Sequence, residues 1–244
     1  MSRSLDPLLA IETSTPVTRV VVLDGETGKV RAADEAISER HSSNLLRLCV
    51  SALEQAALAV GDLGAVACGA GPGSFTGLRV GLAVAKGLAL PRNLPLLAVS
   101  SLEALALDLC AASADGAWVL PCIDGGKGQV FAALFERVGS NDVIARSPDW
   151  SVLPSALPAQ LPSANGASQV IWGGPGGQKY RDVLTASLGA DARFVDVPGP
   201  TAHSIGRRAF ERLARGERDD LASVVPSYGR APDITRPKSA VPQG

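Results

Sequence analysis

Short apolar runs separated by small turn residues dominate the first part of the chain. LLAIETS (8–14) and TRVVVLD (18–24) flank Thr15–Val17 and read as a β-hairpin, after which GETGK turns the chain into a third strand, VRAADEAI. The pattern then becomes helical over Ser43–Val60 and ends at Gly61. AVACGAG (65–71) is a strand that leads through a glycine-rich turn into an apolar helix over Leu78–Leu90. PLLAVS (95–100) and SLEALALDLCAAS (101–113) add a strand and a helix. A second run of the same kind opens at AWVLPCID (117–124), turns at GGKG and returns as QVFAALFERV (129–138). Residues 147–169, rich in Pro, Ala and Ser, read as an irregular excursion. VIWGG (170–174) enters a second glycine-rich loop, and QKYRDVLTASLGA is a helix closing on Gly189. Thr201–Arg215 is the last helix, with Thr201 as N-cap and Gly216 past its end, and the proline-containing tail from Ala231 reads as mobile.

Two of these helices carry more apolar surface than one sheet face can cover. Around Leu78–Leu90, apolar or glycine positions go all the way round, and only Arg79 and Lys86 share a polar strip. Such a helix must be buried, by its own core or by a partner. Gly77, Gly81 and Ala85 fall four apart, a ridge of small residues that lets another helix approach closely. In the earlier helix, apolar residues from Leu45 to Val60 spread over an arc of about 200°, against the ~100° that one core face needs. A thick α/β core is one reading. The expectation is a helical dimer interface of Leu45, Leu48, Ala52, Gly77, Gly81, Ala85 and Leu88, with Gly81→Arg or Leu48→Asp abolishing pairing and leaving the monomer folded.

The 46% apolar and 19% charged residues are ordinary for a globular protein, but aromatics at 4% leave Ala, Leu and Val to fill the core. At 244 residues the chain suffices for one large domain or two lobes. A net charge of −1 argues against the broad basic face of a protein that grips nucleic acid alone. The first residues, MSRSLDPLLAIETS, show no signal-peptide pattern, and the apolar helix falls short of the roughly 20 residues of a membrane span. The 4 cysteines (Cys49, Cys68, Cys110, Cys122) are widely spaced inside apolar runs and read as buried reduced thiols of a cytoplasmic protein.

Four places could carry chemistry. Glu12, Thr13 and Ser14 put an acid and hydroxyls at a strand end, an arrangement that can hold a metal–phosphate or simply stabilise a hairpin turn. Gly69, Gly71, Gly73 and Gly77 link a strand to a helix, where backbone N–H groups can bind an anion. Yet Gly77 is followed by Leu78 and Arg79, which excludes a Walker A loop, and Pro72 and Thr76 exclude a nucleophile elbow around Ser74. Asp124 and Gly125, then Gly173 and Gly174, are further phosphate- or nucleotide-type turns that also read as plain ones. The chain has 2 histidines, His41 and His203, in no metal-binding spacing, so no metal ligands are assigned.

Two halves that each open with an acid-bearing hairpin, with a late strand–Gly–Gly–helix, resemble the two-lobed actin-like ATPase (ASKHA) fold, an α/β architecture duplicated from a ribonuclease H-like unit. More specifically, AIETSTPVTRVVVLD (10–24), RHSSNLL (40–46), GAGPGSFTGLRVGLAVAKGLA (69–89) and PSYGRAPD (226–233) resemble the TsaB family. The match runs in order over most of the chain, and 139–169 has no counterpart in it. The resemblance implies lobes at 1–104 and 105–225 and a partly mobile tail at 226–244. It implies a cytoplasmic, non-catalytic subunit of the machinery forming N6-threonylcarbamoyladenosine at position 37 of tRNAs that read codons starting with A. That subunit pairs with TsaD as a heterodimer, is joined by the TsaE ATPase and meets tRNA through the complex, with self-association in the absence of TsaD left open. No cofactor is required. A weak ATP–Mg site on Glu12, Thr13, Ser14, Asp124, Gly125, Gly173 and Gly174 is the residual alternative, and with it an ATP-dependent kinase or transferase. The family usually carries Asp where this chain has Glu12, and an Asp-Ala-Arg-like start to the second hairpin where this chain has Asp124-Gly125-Gly126.

Overall fold

The computed structural model describes residues 6–37, 41–161 and 169–229. The tail beyond 229 and residues 162–168 of the Pro/Ala/Ser stretch lie outside the described residues. The first half comprises β1 (Leu8–Glu12), β2 (Val17–Leu23), β3 (Val30–Ile37), α1 (His41–Gln55), β4 (Ala65–Gly69), α2 (Phe75–Ala89), β5 (Leu96–Val99) and α3 (Ser101–Cys110). Its strands form a sheet in the order β3-β2-β1-β4-β5, antiparallel through the first three and parallel from β1 to β4 and β5. Strand β1 is buried along its whole length because helices cover both faces, which is why LLAIE reads as a continuous apolar run.

The second half follows with β6 (Trp118–Gly126), β7 (Gln129–Ala132), β8 (Phe135–Val138), β9 (Asp142–Ala145), β10 (Trp150–Val152), β11 (Val170–Gly173), α4 (Pro175–Lys179), α5 (Arg181–Leu188), β12 (Arg193–Val195) and α6 (Ala202–Ala214). The order β10-β7-β6-β11-β12 repeats that of the first sheet, with β8 following β7 along the same edge of β6 and β9 added outside β8. The expected single strand over 129–138 is two. Strand β7 pairs with β6 and β10, and beyond Ala133 and Leu134 the chain continues along β6 in the same register as β8, at Trp118 and Val119, with β9 in place of β10 as its outer partner. Helix α1 ends five residues earlier than expected, where Ala57 adopts a left-handed conformation.

The lobe boundary also differs from the expected one. Helix α6, which falls in the second half by sequence, packs on the first sheet: Ala202, Ile205 and Ala209 join Leu8, Ala10 and Ala67 in one core cluster. Helix α3 lies between the lobes and shares the second core with Val119, Ile123 and Phe131. The two helices are joined at Asp108, whose carboxylate accepts hydrogen bonds from Thr201 N and Oγ1, both at 2.8 Å, and from Ser204 Oγ at 2.6 Å. Burial pushes the Asp108 carboxyl up, and these three bonds oppose the shift. Asp108→Ala strips the first turn of α6 of its anion and its acceptor; it is expected to cost about 2–3 kcal/mol. A fall in the urea midpoint with an unchanged slope is the check, and a midpoint equal to wild type refutes the expectation.

All 4 cysteines are free and buried, as their settings in apolar runs imply, and burial pushes Cys49, Cys68 and Cys122 up to about 12. Among the described residues, no helix is long and apolar enough to cross a membrane.

Candidate functional site

The two lobes face each other across a cavity of about 580 Å³. One wall is the β1–β2 turn at Ser14, Thr15 and Pro16 with the α2 N-terminus at residues 73–75. The other is the β6 hairpin at residues 123–126, with Phe131 and Pro175. Tyr228, from the segment after α6, closes one side with its ring 4.8 Å from that of Phe75.

Glu12 does not reach this cavity. It is fully buried behind the turn, where Oε1 accepts a hydrogen bond from Ser14 N and Oε2 accepts one from Ser101 Oγ at 3.0 Å. The space it fills exists because residue 69 is glycine; a methyl group there would overlap the carboxylate. Burial pushes the Glu12 carboxyl above its ordinary value, while Ser14, Ser101 and the more distant Arg19 pull the other way. Ser101 Oγ in turn accepts from Gly71 N at 3.3 Å, so Glu12 ties the end of β1 to the start of α3 and to the glycine loop. Thr13 is also buried, donating from Oγ1 to Gly77 O at 2.9 Å.

The glycine loop is engaged internally. Ser74 caps α2 by accepting from Gly77 N at 3.2 Å, and its own N–H goes to Ser14 O at 2.8 Å. The orphan donors that make a helix start attractive to phosphate are thereby partly used. Asp124 lines the cavity, but its Oδ1 accepts from Gly126 N at 3.0 Å and its Oδ2 pairs with Lys179 at 2.7 Å. Gly173 and Gly174 do not line the cavity. Side chains there would overlap Val195 O and Leu105, so these glycines serve the close packing of β11 on β12 and α3. Of the residues expected around a nucleotide, the fold brings Ser14, Asp124 and Gly125 to the cavity and leaves Glu12, Thr13, Gly173 and Gly174 behind its walls.

The helices α1 and α2 require a larger correction. Leu45, Leu48, Ala52 and Ala85 belong to the core cluster of the first lobe, with Leu88 packed against it. Gly77 and Gly81 face Thr13, the residue that follows the chain's own β1, and side chains there would strike the Thr13 carbonyl and hydroxyl oxygens. The ridge of small residues therefore lets α2 approach its own sheet. Gly81→Arg and Leu48→Asp would therefore strike the core, and both variants are now expected to lose the folded monomer rather than only the pairing. What the helices expose is their other side: Leu46 (53%) and Val50 (48%) on α1, and Ala83 and Gly87 with the half-buried Val80 and Val84 on α2.

Sequence reasoning missed Phe75, Phe131 and Tyr228. A signal was available, since the chain has 5 Phe, 3 Trp and 2 Tyr and three of these rings converge on one cavity.

Residues 34–171 match the family model of TsaD, described as tRNA N6-adenosine threonylcarbamoyltransferase. Over 230 residues the chain is 33% identical to the tRNA threonylcarbamoyladenosine biosynthesis protein TsaB of Bacillus subtilis, covering 94% of this chain and 93% of that one. The chain belongs to the TsaB family. It is also 29% identical over 230 residues to TsaB of Escherichia coli, covering 91% of this chain and 94% of that protein. A crystal structure of a Pseudomonas aeruginosa protein, described as similar to the peptidase YeaZ, superposes with a TM-score of 0.78 at 25% identity, covering 92% of this chain and 100% of that one. With two sheets of repeated strand order, this TsaB-family chain has the two-lobed ASKHA architecture that its sequence resembles.

That architecture implies Mg²⁺ and a nucleotide between the lobes, and the residues here do not fit them. The first hairpin's acid is walled off, the second hairpin's acid is paired with Lys179, and no lysine or arginine lines the cavity among the described residues. Nor do three His, Cys, Asp or Glu side chains gather to hold a metal ion among the described residues.

Proposed function

We propose that this chain is a non-catalytic subunit that pairs with a TsaD-type transferase and holds it in its active arrangement for N6-threonylcarbamoyladenosine formation on tRNA. The observation that carries this reading is the apolar strip of Leu46, Val50, Val80, Ala83 and Val84. These residues lie on two helices that pack against each other; Leu46, Val50 and Ala83 are exposed, while Val80 and Val84 are half-buried and pack on one side against the first core. Isolated exposed apolar residues are unremarkable, but a run at i, i+4 spacing on two neighbouring helices is the form taken by a helix–helix docking face. The buried Glu12 and the paired Asp124 support a supporting rather than a chemical role. The TsaE ATPase completes the assembly, tRNA is reached through the complex, and the site of action is the cytoplasm.

The test is threonylcarbamoyl transfer to tRNA by purified TsaD and TsaE, with ATP and the threonylcarbamoyl donor supplied, in the presence and absence of this chain. Modification is expected only when the chain is added. Equal modification without it refutes the reading.

A further inference from the structure

A second cavity, of about 560 Å³, lies in the second lobe at the edge formed by β11, α5 and β12, and it shares no lining residue with the cavity between the lobes. Trp172 and Phe194 line it, set side by side by the parallel register of β11 and β12, with ring centroids 4.8 Å apart at 63°. Trp172 is 1% exposed, and its indole N–H has no hydrogen-bond partner among the described residues. A buried donor without an acceptor is uncommon in a folded protein, because the group gives up its bonds to water and receives nothing in return.

The charges around the cavity favour an anion. Arg181 and Arg193 line it against a single acid, Asp191. Arg193 is held in place by donating from Nη2 to Ala112 O at 2.8 Å. Arg181 is the first residue of α5, and its guanidinium carbon stands 4.4 Å from the centre of the Phe194 ring. Among the described residues it makes no ion pair and no hydrogen bond. An arginine held over a ring keeps its N–H edge for a planar, bidentate acceptor, which a carboxylate or a phosphate supplies. Thr185, one turn further along α5, adds a hydroxyl to the same wall.

We propose that this cavity binds a small organic anion, with a carboxylate or phosphate group on the Arg181 guanidinium and one oxygen of that group accepting from Trp172 Nε1. The N–H has almost no surface of its own, so the anion reaches it only as the exposed side chains around it, Arg181 among them, give way. The volume leaves room for an organic body beside the charged group, against the two rings.

Heteronuclear NMR of the full chain tests this without any partner, because its 3 tryptophans give separate indole N–H signals and Trp172→Phe identifies the one concerned. Titration with inorganic phosphate and, separately, with citrate is expected to move the Trp172 signal saturably with at least one of them, while Trp150, three strands away in the sheet, does not follow. A response to phosphate alone assigns the site to phosphate esters, and a response to citrate alone assigns it to carboxylates. Sodium chloride of equal ionic strength leaves the signal in place. Arg181→Ala weakens binding about tenfold or more, and Arg181→Lys, which keeps the charge and loses the fork, weakens it less. Circular dichroism and thermal unfolding confirm that each variant is folded. The proposal is overturned by the lack of a saturable shift with either anion, by the same shift with chloride, or by Arg181→Ala binding like wild type. A single-stranded RNA oligonucleotide that binds tenfold or more tighter than both anions overturns it too, since the cavity then belongs to a nucleic-acid surface.

Discussion

Glu12→Ala destabilises the protein by about 3 kcal/mol, because it opens a cavity at the meeting point of β1, α3 and the glycine loop and leaves Ser14 N–H and the Ser101 hydroxyl without their acceptor. Glu12→Gln behaves differently. Its carbonyl oxygen still accepts from Ser14 N, and its amide donates to Ser101 Oγ, which can reverse its role. The pH dependence separates the two states of the native residue. Because burial raises the folded-state pKa above the ordinary 4.5, the folded chain holds a proton that the unfolded chain releases. Wild-type stability therefore has this contribution in full below the unfolded value and loses it as pH rises through the folded one. Glu12→Gln carries no such loss, so its advantage over wild type grows with rising pH across that window. Urea unfolding of both proteins at a series of pH values reads the difference directly. A constant difference across that range, or an alanine variant as stable as wild type, sinks this account of Glu12. The same result governs any test for nucleotide chemistry at this carboxylate, since activity lost in Glu12→Ala follows from lost folding.

Val50→Asp and Leu48→Asp, two positions apart on α1, are expected to fail in opposite ways. Val50 is 48% exposed, so the monomer keeps its stability to within about 0.5 kcal/mol, while affinity for TsaD falls by about a hundredfold or more as a charge enters the apolar face. Leu48 is 8% exposed and packs within the first core, so Leu48→Asp costs about 4 kcal/mol or more and removes the folded monomer itself. Size-exclusion chromatography with TsaD, paired with thermal unfolding of each variant alone, distinguishes them. A Val50→Asp chain that still pairs at wild-type affinity moves the interface elsewhere; a Leu48→Asp chain that unfolds at the wild-type temperature contradicts the packing.

The contrast shows what the sequence could and could not convey. Periodicity identified α1 and α2 and their excess of apolar surface, but a helix apolar on nearly all sides does not say which side meets its own sheet. Small residues at 77, 81 and 85 are equally suited to a partner or to β1, and only the position of Thr13 in space decides. The first sheet was legible because its strands are separated by turn residues or helices. The break between β7 and β8 was not, since AALF carries no glycine, proline or charge, and the change of partner is imposed by β10 and β9. The three-residue β12 is too short to show a period. Of the candidate site, the hairpin at Asp124 was legible from its turn chemistry. The burial of Glu12 depends on Gly69 more than fifty positions away, and the aromatic wall depends on a segment beyond the last helix.

The placement of α6 has a consequence for how the chain is made. The face of the first sheet that carries Leu8, Ala10, Val21 and Leu97 is covered by Ala202, Ile205 and Ala209. During synthesis this face, complete once Leu97 is made, waits for these α6 residues until more than a hundred further residues have been added. The first lobe is thus a long-lived apolar intermediate on the nascent chain, dependent on contacts of high sequence separation that form late and slowly. Cutting the chain between the sheets yields an N-terminal fragment that aggregates, and adding residues 202–214 back as a peptide restores its solubility.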